Sequence, residues 1–259
     1  MVFEKVSKTF VDLKFRKVQA LQDINLYVKS GEFIAVLGPS GCGKSTLLRL
    51  AAGLDEPTAG RVVYQNEVIT GPSPDRGLVF QAYNAFPWLT VRENVAFGIS
   101  QDAEESHSDE ISKWLSVTGL SEFADCYPKV LSGGMRQRVA LARTMIVKPG
   151  LLLLDEPFGA LDELTRDSMQ RLLLQLARDS DCTVLLVTHD IREAVLLSDR
   201  VILLSPRPGQ IVEVFNSPLP KPRTRHLMKS PEFDRLHECI VERLGDQAGN
   251  AFSTEARTA

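Results

Sequence analysis

Phe33-Ile34-Ala35-Val36-Leu37-Gly38-Pro39-Ser40-Gly41-Cys42-Gly43-Lys44-Ser45-Thr46 decides how the rest of this chain is read. Its five opening apolar residues do not alternate with polar ones, which is the pattern of a strand buried on both faces. From Gly38 the segment fits G-x-x-x-x-G-K-[ST], a loop whose backbone N–H groups surround phosphates. Gly38, Gly41 and Gly43 permit close approach that a Cβ would obstruct, so amides of residues 41–46 can point at phosphate oxygens. Pro39, Ser40 and Cys42 complete the loop. Lys44 adds the cation, Ser45 offers a hydroxyl to Mg²⁺, and Thr46 beside it can bond the α-phosphate. A helix is expected over 44–52, ended by Gly53 and Pro57.

Strand, phosphate loop and helix predict an α/β fold with a P-loop core: a mostly parallel sheet, an N-terminal antiparallel β subdomain and a helical subdomain. Residues 1–37 alternate short β-like stretches with turns, and 61–64 and 77–80 read as further strands. Gln81 stands at the exit of the latter, where its amide oxygen can reach Mg²⁺ or an attacking water. Four leucines at 151–154 deliver Asp155 to the C-terminal edge of the sheet, where ligands of open α/β folds collect. Asp155 is assigned to Mg²⁺, usually through water, and Glu156 to the general base that polarises the attacking water. A strand over 182–188, with a helix over 164–178 before it, completes a βαβ unit. It leads to His189, a donor for the γ-phosphate and a support for Glu156.

Between these strands, 82–147 reads as a helical insert, with 101–109 as a polar surface loop. Within it Leu131-Ser132-Gly133-Gly134-Met135 precedes a strong helix, and Ser132 is a good N-cap. A glycine-rich helix N-terminus attracts phosphate, but this one is too far along the chain to belong to the first loop. Its natural use is to present Ser132, Gly133 and Gly134 to a nucleotide held by another copy. Residues 1–81 and 148–223 are therefore taken as one discontinuous core, and 224–259 as a helix over 231–244 and a flexible polar tail.

Bulk composition narrows the class. The 259 residues are 44% hydrophobic, enough for a substantial core, and a net charge of −3 recommends no polyanion partner. No apolar run approaches the roughly 18 residues that cross a bilayer, and the first residues lack a signal peptide's hydrophobic stretch. Cys42, Cys126, Cys182 and Cys239 are scattered without a C-x-x-C pair, which argues against a zinc site and a disulfide framework.

In their order these segments resemble the nucleotide-binding subunit of an ABC transporter: Walker A at 38–46, Q-loop at Gln81, signature at 131–135, Walker B at 151–156, D-loop Ala160-Leu161-Asp162 and switch His189. The resemblance implies ATP and Mg²⁺ as ligands, with ATP clasped between Walker A of one subunit and the signature of the other. The pair would be a homodimer, or this chain with a homologous ATPase subunit. By position Phe10 is similar to the aromatic that stacks on adenine, with Phe15 as second choice. Met135 departs from the family's usual glutamine, which puts that amide's contact to the opposite nucleotide in doubt.

Phe86-Pro87-Trp88-Leu89-Thr90-Val91-Arg92-Glu93-Asn94-Val95-Ala96-Phe97-Gly98 and Pro157-Phe158-Gly159-Ala160-Leu161-Asp162 further resemble the subunits that drive bacterial import of nitrate, taurine and alkanesulfonates. This implies permease subunits, an indirect extracytoplasmic substrate-binding protein, and a peripheral place on the cytoplasmic face of the inner membrane. A permease helix would be received near 81–95 by Phe86, Pro87, Trp88 and Leu89. A core position for Trp88 is equally compatible with the sequence. The rival reading is a soluble non-transport ABC ATPase acting on nucleic acid or ribosomes. Such proteins usually carry long coiled coils or paired cassettes, and neither is visible here.

Overall fold

The computed structural model describes residues 1–11, 14–80, 85–99 and 107–255, with side chains of the last stretch as far as 246. In chain order the elements are β1 (Val2–Val11), β2 (Lys17–Tyr27), β3 (Phe33–Leu37), α1 (Lys44–Ala52), β4 (Ala59–Tyr64), β5 (Glu67–Val68), β6 (Arg76–Val79), α2 (Val91–Ala96) and α3 (Ser108–Val117). There follow α4 (Gly133–Met145), β7 (Leu151–Asp155), α5 (Glu163–Asp179), β8 (Thr183–Val187), α6 (Ile191–Leu197), β9 (Arg200–Leu204), β10 (Ile211–Asn216) and α7 (Pro231–Glu255). Contacts divide the chain into two compact units, Met1–Pro72 with Thr183–Ala259, and Ser73–Cys182.

In the first unit β3 lies parallel to both β8 and β9, and β10 returns antiparallel on β9. Every residue of β3 and β8 is buried, which explains the unbroken apolar runs in the sequence. An antiparallel sheet of order β2-β1-β4-β5 makes up the rest of the strand content. The short stretches expected in 1–37 are corrected here: β1 and β2 are single strands of 10 and 11 residues. Register shifts between Phe3 and Val6 and between Val6 and Thr9 interrupt their alternation, and Lys5 at φ 49° and Asp23 at φ 48° mark the irregularities. A bulge breaks the period-2 pattern by which a long strand is recognised.

α1 spans the expected residues and ends on Gly53, whose N–H bonds to the carbonyls of Arg49 and Leu50. β9, β10 and α6 were not anticipated; β9 is another buried run, with Val201, Ile202, Leu203 and Leu204 all at 0% exposure. α7 also differs from expectation, since it does not stop at 244 but continues to Glu255. Phe233, Leu236 and Ile240 are buried and α7 packs on α6. Once that docked half has nucleated the helix, each further residue adds a hydrogen bond at little cost, and no proline follows to stop it.

In the second unit β6 pairs in parallel with β7, Arg76 opposite Leu151 and Val79 opposite Leu154. Its helical part carries a core of its own, centred on Val91, Val95, Ile111, Leu115, Leu120 and Val139. No strand occurs between β6 and β7 among the described residues. Part of the expected loop is helix instead, because Ser108 and Asp109 open α3 with acidic residues in its first turn. Residues 101–106 lie outside the described residues. No described helix is long and apolar enough to cross a membrane.

Candidate functional site

β3 and β8 run in register, Phe33 opposite Val184 and Val36 opposite Val187, so Gly38 and His189 leave neighbouring strands at the same C-terminal edge. The Thr188 amide donates to the Val36 carbonyl across that edge. His189 is exposed there, while Thr188 beneath it is buried. Thr188 Oγ1 donates to Glu193 Oε2 at 2.8 Å and accepts from the Asp190 amide at 3.1 Å. Asp190 caps α6 by accepting from the amides of Arg192 and Glu193. The switch turn is thus held on both sides of the histidine.

The loop 38–43 is shaped for a backbone cradle. Gly43 sits at φ 104°, and a Cβ there would come within 2.7 Å of Leu21 Cδ2 and 2.8 Å of the Ala20 carbonyl. At Gly41, φ 76°, a Cβ would meet nothing within 4 Å, so that glycine is there for its left-handed backbone. Lys44 Nζ donates to the carbonyls of Gly38 at 2.8 Å and Pro39 at 3.1 Å, which holds the ammonium across the loop. Ser45 is exposed and Thr46 half-buried at the start of α1, with Ser40 exposed at the tip. Cys42 is buried beneath the loop, and burial pushes its thiol up despite nearby Lys44. It is a packing residue.

In the second unit Asp155 is the last residue of β7, and Glu156 follows in the left-handed region at φ 45°. The chain does turn at the strand end, and both carboxylates are half-buried. Beyond them the Gly159 amide bonds to the Glu156 carbonyl at 3.3 Å and Leu161 N to Phe158 O at 3.2 Å, two linked turns that lead into α5. Asp162 caps α5 by accepting from the Thr165 amide at 3.0 Å. Bonds from the Thr165 side chain and amide hold the Asp162 carboxyl below the usual range. Ser132 caps α4 as expected, its Oγ accepting from Met135 N at 3.2 Å, and Gly133 and Gly134 open that helix. Gln81 lies outside the described residues.

A family model described as ABC transporter matches residues 21–159. The nitrate import ATP-binding protein NrtD of Synechocystis is 46% identical, over 91% of this chain and 91% of its own length. The chain belongs to the ABC transporter family. The aliphatic sulfonates import ATP-binding protein SsuB of Bacillus cereus is 44% identical, over 92% of each chain. The bicarbonate transport ATP-binding protein CmpC of Synechococcus elongatus is 45% identical, over 94% of this chain and 38% of its own. Among solved structures, a dimeric ATP-binding cassette in a post-hydrolysis state with ADP and Pi is similar at TM-score 0.71 and 33% identity, covering 83% of this chain and 97% of that one. The fold is therefore that of ABC ATPase cassettes, an α/β P-loop fold.

Other family positions are less alike. Phe10 is 39% exposed with Lys8 Nζ 5.0 Å from its ring centroid, and Phe15 is 89% exposed. Lys8 covers one face of Phe10, which leaves a single face for stacking. Met135 is half-buried and packs against the helical core of the second unit. Trp88 is 69% exposed, so a core position for it is ruled out. Its ring stacks on Phe86 at 5.3 Å, and Phe86 meets the Phe97 edge at 4.6 Å and the Arg143 guanidinium at 4.5 Å. Pro87 is exposed beside them.

Two contributors had no single-residue signal. Fully buried Asn94 accepts from the Phe86 amide and donates to the Phe86, Leu89 and Thr90 carbonyls, pinning the turn that carries these aromatics. Gln137 of α4 donates to the Pro157 carbonyl next to Glu156. The T-x-x-E spacing of Thr90 and Glu93 was readable, and it forms a capping box at the start of α2.

Proposed function

We propose that this ABC ATPase is the ATP-binding and hydrolysing subunit of an importer, dimerising around two ATP to drive uptake of a small anion through a separate permease. What carries the reading is the register of β3 on β8, which brings the phosphate loop and His189 to one sheet edge in a chain of this family. Residues 1–81 and 148–223 act as one discontinuous ATPase core, 82–147 as the signature-bearing subdomain and 224–259 as a C-terminal appendage. In the ATP site, backbone amides of the loop 38–46 and Lys44 hold the phosphates. Phe10 offers its open face to adenine. Oxygen donors Ser45, Asp155 and Gln81 suit a hard cation, so Mg²⁺ fits this set and would neutralise phosphate charge when bound. Glu156 accepts the proton of the attacking water, and His189 donates toward the γ-phosphate and supports Glu156.

Ser132, Gly133 and Gly134 address the ATP of the opposite copy, so nucleotide favours the closed pair over the open one. The apolar surface of exposed Pro87, Trp88 and Phe97, backed by half-buried Phe86, receives the permease on the cytoplasmic face of the membrane. Relatives named for nitrate, sulfonates and bicarbonate support a small anion as cargo. Choice among anions rests with the permease and the substrate-binding protein. Glu156→Gln should bind ATP, fail to hydrolyse it and sediment as a closed dimer. A lone subunit turning over ATP at full speed, unable to pair even in that variant, would overturn the proposal.

A further inference from the structure

The link from Gln137 to Pro157 joins two segments with different tasks. Gln137 lies on the second turn of α4 and is 2% exposed. Its Nε2 donates to the carbonyl of buried Pro157, while its Oε1 has no hydrogen-bond partner among the described residues. The side chain lines a small cavity with Val79, Leu141, Leu154, Phe158 and Met169. Leucine or methionine would fill that apolar space without burying an unpaired oxygen, so packing does not account for an amide here. What the amide supplies is its donor.

That donor acts at a sensitive point. Pro157 φ is locked by its ring, which leaves ψ as its one soft dihedral, so a displacement of its carbonyl beyond what ψ takes up passes back to Glu156, already held at φ 45°. The other end of the link is equally tight. A Cβ on Gly134 would come within 2.2 Å of Thr165 Cγ2, so the start of α4 rests directly on the first turn of α5. Arg138, the next residue of α4, donates to Ser168 Oγ of α5 at 3.0 Å.

We propose that Gln137 is a positioning residue: its amide ties the signature helix to Pro157, so that nucleotide seated on Ser132–Gly134 by the opposite copy sets the Glu156 carboxylate of this same chain. The proposal rests on the reading of the ATP site given above. It predicts an asymmetry that can be read in mixed dimers of differently tagged full-length chains, one carrying Glu156→Gln and one with Glu156 intact. Only the intact carboxylate then hydrolyses. Gln137→Met placed in the chain with the intact Glu156 should lower the single-turnover rate about 10–100-fold, as expected when a reacting group is misplaced by up to an ångström. The ATP concentration for half that rate should stay unchanged, and the melting temperature should move by no more than about 4 °C, the loss of one bond. The same substitution in the Glu156→Gln chain should leave the rate within about twofold.

Gln137→Leu, which also fills the apolar space and removes the donor, should behave alike and serves where the Met variant does not fold. Loss of rate only when the substitution sits in the Glu156→Gln chain would mean that Gln137 acts on the opposite nucleotide, and the proposal fails. Equal loss in both placements, or none, overturns it as well. Should the unsubstituted mixed pair not assemble, or the Glu156→Gln dimer turn over ATP, the underlying ATP-site reading fails instead.

Discussion

Replacing Asn94 by alanine isolates the support of the aromatic surface from the nucleotide chemistry. Asn94 is 0% exposed; its Oδ1 accepts from Phe86 N at 2.7 Å and its Nδ2 donates to the carbonyls of Phe86 at 3.1 Å, Leu89 at 3.0 Å and Thr90 at 2.9 Å. Two amide hydrogens shared among three carbonyls, plus the bond accepted from Phe86 and a long one of 3.5 Å from Arg143 Nη1, amount to about three full bonds, each worth about 1 kcal/mol net. Phe86, Leu89 and Thr90 are only half-buried, so water recovers part of this, whereas the carboxamide leaves a void that adds to it. The balance is about 2–4 kcal/mol. At about 2–4 °C per kcal/mol for a chain of this size, the melting temperature should fall by about 4–16 °C in scanning calorimetry. ATP affinity should be unchanged, because Asn94 bonds to Phe86, Leu89, Thr90 and Arg143 of the helical part, while permease-stimulated hydrolysis drops with the loosened turn. A fall below about 1 °C, or a loss of ATP binding without loss of stability, would refute the assignment of Asn94 as the anchor of this turn.

Three further outcomes are expected. Met135→Gln should leave basal ATP hydrolysis unchanged or raise it, since Met135 packs only partly against the helical core; a large fall in steady-state rate would contradict this. Asp199 ties the Phe33 amide to Lys221 and Arg223. Burial pushes its carboxyl up, but those partners together outweigh it and hold it below the usual range. Its stabilisation is therefore present above the unfolded pKa of about 3.9 and lost as pH falls through the lower folded value. Urea titrations should show the stability gap between wild type and Asp199→Asn closing in that acid window, and a gap independent of pH would sink the assignment. In thiol labelling at neutral pH, exposed Cys239 should react first and Cys182 last. Cys182 is buried with its thiol pushed up to about 11, so Cys182 modified before unfolding would be the adverse result.

Features that follow from local rules were legible. A continuous apolar run reads as a buried strand wherever it falls, and glycine ends a helix, which is why β3, β7 and β8, and α1 before Gly53, lie within a residue of their expected bounds. Ser132 as the α4 cap also needs only its own side chain and the next turn. Where two distant segments act together the reading weakened. β1 and β2 were divided because bulges disturb their alternation, and α7 was cut short because its polar half continues a helix that buried residues elsewhere had nucleated. Trp88 could be core or surface on its sequence neighbours alone, and only the packing of Phe86 against Phe97 and Arg143 leaves it outside.

Motif order and spacing alone pointed to the family and to the phosphate loop, and they carry the roles proposed for Lys44, Asp155, Glu156 and His189, because each depends on residue type and on strand or helix propensity over a few positions. Folding settled what depends on groups far apart in the chain. The left-handed backbone of Glu156, the amide of Gln137 on the Pro157 carbonyl and the hub at Asn94 are of this kind. The last two are buried side-chain amides whose partners spacing does not reveal, since hydrogen bonds inside a protein are decided by three-dimensional geometry and by the exclusion of water.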